Sequence, residues 1–171
     1  MPQGHRLWIT IDPVDSGEQK TRIQNMLGDM DDHIADMPPL IRTPRDLFMQ
    51  WQAMMGDLGF LQRMLWFTFI AADGEAVPVI QQIELGPAAP DGLLLDNLMY
   101  VCREILDSTG NGDGTAAFLL SRPGAARITS LDRDWAAGLV DAASRSGVAL
   151  QPIHLATDER LTVFAADDLI R

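Results

Sequence analysis

The sequence predicts an α+β domain in which helices pack against a mixed, largely antiparallel sheet. Three features point that way. Apolar residues recur at helical spacing in separate segments, Asp73-Gly74 joins two strand-like runs as a hairpin signal, and Thr115 to Ile153 reads as strand, tight turn, helix, strand. The resulting order over the main part of the chain is helix, hairpin, helix, strand, helix, strand, strand. A chain of 171 residues can bury one full core and is short for two.

Near the N-terminus, Leu7, Ile9 and Ile11 alternate with Trp8 and Thr10, a period of two that predicts a short strand ending at Asp12-Pro13. Ser16 can cap a helix reaching about Ile34, whose acidic end (Asp29, Asp31, Asp32, Asp36) opposes the helix dipole. That acidic group lacks the glycine and closing glutamate of an EF-hand, so it reads as solvated surface. Met37-Pro38-Pro39 breaks the chain, giving an N-terminal extension over 1–40 and a main domain over 41–171.

Thr43-Pro44 opens a helix, with a capping hydroxyl, proline at the first helical position and Asp46 in the first turn. Its apolar stripe is Leu47, Phe48, Trp51, Met54, Met55 and Leu58, which reads as core filler, and Gly56 and Gly59 close it. Met64 to Ala72 is apolar on both alternating faces, as a central strand is. Val77 to Leu85 returns antiparallel, and Pro78 demands an edge position or a bulge. Leu94, Leu98, Val101, Cys102 and Ile105 place a helix over about Asp91 to Asp107.

The turn from Asp107 to Gly114 has acids at Asp107 and Asp113 but no glutamate to close a calcium loop. Thr115 to Leu120 is a strand broken by Ser121-Arg122-Pro123-Gly124. A capped helix then starts near Thr129, a strand runs from about Val148 to Ile153, and Leu161 to Ala165 pairs back on Leu150 to Ala156 across Asp158-Glu159.

The formal net charge of -11 opposes unspecific binding to phosphate backbones, which rests on lysine and arginine displacing counterions. Cys102 is the sole cysteine and sits on the apolar face of its helix, which excludes an intrachain disulfide and a cysteine-based zinc site. No basic-then-apolar leader opens the sequence, and the apolar run Met64 to Ala72 falls well short of the ~20 residues of a membrane span. A cytoplasmic protein is therefore expected. The sequence contains no Gly-x-Ser-x-Gly elbow, P-loop, His-Glu-x-x-His or dinucleotide fingerprint.

From about Ile41 to Phe164, the element order and several local signals resemble the JAB/MPN metalloprotease fold, which is cytidine deaminase-like, in its bacterial RadC-type branch. The features are Thr43-Pro44, the Asp73-Gly74 hairpin, Ile83-Glu84-Leu85-Gly86 and the Leu120-Ser121-Arg122-Pro123-Gly124 break. The Thr129-x-x-Asp132 turn and Pro152-Ile153-His154-Leu155 complete them. Active members bind zinc through a His-x-His-Pro turn and the aspartate of a Ser-x-x-Asp turn, with an upstream glutamate as general base. Catalytic zinc takes three protein ligands and leaves one position to a water of lowered pKa.

Carried over residue by residue, the histidine positions fall on Leu120 and Arg122, Pro123 matches the proline, Thr129 replaces the serine and Asp132 matches the aspartate. The glutamate is expected near Pro78-Val79, where there is none; Glu75 and Glu84 are off register. Leucine offers no lone pair and arginine remains protonated, so the resemblance implies no metal, no cofactor and no catalytic residues.

The expected function is that of an inactive JAB/MPN-like, RadC-related domain working as a binding or scaffold module, with a protein partner or a second copy. The alternatives are a metal-independent hydrolase with an unrecognised site and an acidic accessory protein in DNA metabolism. The candidate anion or ligand pocket comprises Ser121, Arg122, Gly124, Thr129 and Asp132. Against it stand two plainer expectations: Arg122 pairs with Asp132 or another local acid, and Thr129 with Asp132 forms a capping box. His154 is expected to be a hydrogen-bonded core histidine.

Overall fold

The computed structural model describes residues 8–10, 39–110 and 112–169. The strands are β1 (Trp8–Thr10), β2 (Met64–Ile70), β3 (Ala76–Glu84), β4 (Thr115–Ser121), β5 (His154–Ala156) and β6 (Leu161–Val163). The helices are α1 (Pro44–Met55), α2 (Gly92–Gly110) and α3 (Ser130–Ser146), with a short 3-10 turn at Ala166–Leu169. The strands form one mixed sheet in the order β1-β3-β2-β4-β5-β6. The pairs β2–β3, β2–β4 and β5–β6 are antiparallel, while β1–β3 and β4–β5 are parallel. The predicted α+β class with a mixed, largely antiparallel sheet between helices is what the chain adopts.

Alternation along the central strands separates two cores. Leu65, Phe67 and Phe69 of β2 and Ala116, Phe118 and Leu120 of β4 pack with the apolar faces of α2 and α3. Ile70, Ala117 and Leu119 pack on the opposite face with Leu47 and Trp51 of α1. β2 and β4 are covered on both sides, which explains why their sequences are almost unbroken apolar runs.

Local chemistry sets the boundaries. Thr43 and Asp46 form a reciprocal capping box at the start of α1, as its opening residues predict. The hairpin closes with Gly74 N–H donating to Ala71 O, and Gly74 at φ 92 occupies a conformation that favours glycine. Opposite Pro78 the β2–β3 register shifts, with Thr68 paired to Ile80 and Ile70 to Ala76, so Pro78 sits in a bulge, the second of the two places its missing N–H allows. β1 falls where the N-terminal alternation predicts a strand, whereas the helix expected over Ser16 to Ile34 lies outside the described residues. Pro39 O accepts from Ala76 N–H, which ties the segment before α1 to the start of β3.

Two expected boundaries move. α2 continues to Gly110, three residues past Asp107, with Ser108 and Thr109 hydroxyls turned back onto the Ile105 carbonyl. The strand expected over Val148 to Ile153 instead makes a single bridge, Ala116 to Leu150, and regular pairing begins only at His154. Pro152 lies between them and has no N–H to give the ladder. From the Leu150 bridge to His154 there are four residues, opposite three from Ala116 to Leu119, so the break absorbs one extra residue.

Candidate functional site

The site lies where β4 ends and α3 begins. The antiparallel β2–β4 register sets Met64 against Ser121, so residues just before β2 and just after β4 meet at one end of the sheet. Arg63 and Arg122 occupy those positions, and both reach Asp132 in the first turn of α3.

Asp132 is fully buried. Its Oδ2 accepts from Thr129 N–H while the Thr129 hydroxyl accepts from Asp132 N–H, the reciprocal capping box anticipated from the sequence. Arg122 Nε and Nη2 donate side-on to the carboxylate at 2.9–3.0 Å, and Arg63 Nη1 donates to Oδ1 at 2.5 Å. Burial pushes the carboxyl pKa up, but the Arg122, Thr129 and Arg63 donors together outweigh it and hold the group below its ordinary range. The plainer expectation for Arg122, pairing with a local acid, is therefore the geometry found.

Arg122 spends every donor it has. Nη1 donates to the carbonyls of Pro123 and Ala125, and Nη2 also donates to the carbonyl of Arg127. With Nε and Nη2 on Asp132, all five N–H groups are used. On the other side of the same loop, Gly124 N–H donates to Asp158 Oδ2 and Ala126 N–H to Glu159 Oε2. The Asp158 carboxyl is held low first by the Gly124 amide and then by that of Phe60.

The expected anion pocket is thus assembled in part. Arg122, Gly124, Thr129 and Asp132 come together, but Arg122 and the Gly124 amide are satisfied from within the chain. Ser121 does not join them. Strand alternation sets it on the opposite face, where its hydroxyl accepts from Trp66 Nε1 at 2.8 Å. Leu120 is fully buried within the core under α2 and α3.

No glutamate stands at the position that the resemblance assigns to a general base. Pro78-Val79 sits at the far end of β3, about 20 Å from Glu84 at 3.3 Å per residue. Glu84, opposite Met64, is the acid at the site end of the strand, and it is exposed. Leucine, arginine and one carboxylate do not make a zinc-binding set. Among the described residues no group of three or more His, Cys, Asp or Glu could hold a metal.

Arg63 is the residue that sequence reasoning missed. It lines a groove of about 340 Å³ together with Leu85, Gly86, Pro87, Arg122, Pro123 and Leu131. Extending the β2–β4 pairing by one residue on each strand would have found it, because that step places 63 opposite 122.

The remaining titratable candidates are structural. His154 is almost fully buried, with Nδ1 2.9 Å from Pro152 O; burial lowers its pKa and the Pro152 contact only partly offsets this. Burial pushes the Cys102 thiol far up, which removes it as a nucleophile. Among the described residues no helix is long and apolar enough to cross a membrane. The chain matches no protein-family model and no curated protein.

Proposed function

We propose that this chain is a degenerate JAB/MPN-like, RadC-related domain that has exchanged metal-dependent hydrolysis for a role as a binding or scaffold module, joined to a protein partner or a second copy. One observation carries the reading. Carrying the family motif over by residue sends position 122 and Asp132 to one metal site, and Arg122 lies side-on against Asp132 across ten residues of chain. A guanidinium supplies in covalent form the positive charge that a bound cation would bring to a buried carboxylate. The element order on which the resemblance rests, helix, hairpin, helix, strand, helix, strand, strand, is also the order observed from α1 to β6.

Restoring the ligands tests this. A Leu120→His/Arg122→His variant restores both histidines of the motif and, on the family reading, should bind about one zinc per chain, with the wild type binding essentially none. Metal content of dialysed protein and a zinc-dependent rise in melting temperature would read the result. A folded double variant that gains no zinc refutes the family reading. Wild-type protein that retains stoichiometric zinc and cleaves peptides until chelated refutes the inactive one.

A further inference from the structure

We propose that the Arg63 groove is a binding site for a carboxylate carried on an apolar body. Two guanidiniums, Arg63 and Arg122, meet the single carboxylate of Asp132, and both side chains are largely buried, at 14% and 8% exposure. The buried part of the cluster therefore holds two positive charges against one carboxylate, with the exposed Asp158 carboxylate also within the field of Arg122 rather than paired to Arg63, in a chain whose formal net charge is -11. A largely buried cation that must share its counter-charge is incompletely compensated, and an anion entering the groove would relieve that cost.

The geometry selects which arginine receives the anion. Arg122 is saturated. Arg63 gives only Nη1 to Asp132, so its Nε–Nη2 edge has no partner among the described residues. That edge offers two parallel N–H donors, the arrangement that matches the two oxygens of a carboxylate.

The walls select the rest of the ligand. Leu85, Pro87, Pro123 and Leu131 are apolar, and no carboxylate is among the groove-lining residues. A volume of about 340 Å³ suits a ligand of one to three residues or a small organic acid. Gly86 leaves the wall open: a Cβ built there meets no atom within 4 Å. A larger side chain at 86, a groove-lining position, therefore has room without displacing the protein. This inference rests on the binding-module reading and names a ligand class for it.

Titrations followed through the Gly86 amide and Arg63 Nε–H resonances would test it, using N-acetyl-leucine, the peptide acetyl-Ala-Ala-Leu and the carboxamide of each. Both acids should saturate, and amidation or Arg63→Gln should weaken binding at least about tenfold. Gly86→Leu should abolish it with an unchanged melting temperature, which covers the case in which Arg63→Gln perturbs the fold. A peptide binding tenfold tighter than acetyl-leucine identifies a chain terminus as the source of the carboxylate; equal affinities identify a free acid. Equal binding of acids and amides, or no saturation up to tens of millimolar, overturns the proposal. That failure is separable from failure of the family reading, because zinc uptake by the two-histidine variant does not depend on the carboxylate.

Discussion

Replacing Arg122 by alanine should be among the most damaging single changes in this domain. The substitution removes the side-on pair to a fully buried carboxylate and three donations to the Pro123, Ala125 and Arg127 carbonyls. Removing one partner of a buried ion pair costs about 3–5 kcal/mol, because the other charge is left desolvated. Asp132 keeps Arg63 and the Thr129 amide, and water can reach the exposed Pro123, Ala125 and Arg127, so the low end applies. We expect a loss of about 3 kcal/mol, which in a domain of this size lowers the melting temperature by roughly 6–12 °C.

Arg122→Lys keeps the charge but not the planar fork, and should recover less than half of that loss. Urea unfolding of Arg122→Ala, Asp132→Ala and the double variant would complete a cycle, with an expected coupling of at least about 2 kcal/mol. An Arg122→Ala variant within about 1 kcal/mol of wild type, or an additive cycle, would refute the account of this corner.

Three further outcomes follow from other parts of the fold. His154 has a folded pKa below its unfolded value of about 6.5, so its neutral form contributes fully above that pH and stability declines as pH falls below it. Unfolding free energies measured between about pH 7.5 and 5 should show that slope in wild type and lose it in His154→Gln. Gly114→Ala should cost about 1–3 kcal/mol by thermal melt, because its Cβ would sit 2.7 Å from the Ile70 carbonyl oxygen and 2.9 Å from Leu106 Cδ2. Thr129→Ala should cost about 1 kcal/mol through loss of the cap, and Thr129→Ser should restore most of it in the same assay.

Much of the fold was legible because local chemistry and burial agree along the chain. Thr43-Pro44 with Asp46, and Thr129 with Asp132, announce the starts of α1 and α3 through capping groups that act within a single turn. The unbroken apolar runs of β2 and β4 announce central strands. The misplaced strand at Val148 to Ile153 shows where local pattern fails: those residues are apolar enough, but Pro152 moves regular pairing on to His154.

The site divided along the same line. The Arg122–Asp132 pair was accessible because both residues flank one loop. Ser121 was misassigned because adjacency to Arg122 hid the strand alternation that separates them. Arg63 was missed because its place in the cluster depends on the pairing of two strands 45 residues or more apart in the chain, a relation that only register reveals.

The loop between β4 and α3 is tied alternately, with carbonyls of 123, 125 and 127 turned to one arginine and amides of 124 and 126 turned to two acids beyond β5. None of these ties can loosen far alone, since a shift that frees one carbonyl drags the neighbouring amide off its acceptor. Solvent should therefore reach Gly124 and Ala126 in a single concerted event, and their exchange with deuterium should report one shared opening free energy. A surface loop laced from both sides in this way moves as a hinged plate, and the groove beside it inherits a rim that keeps its shape.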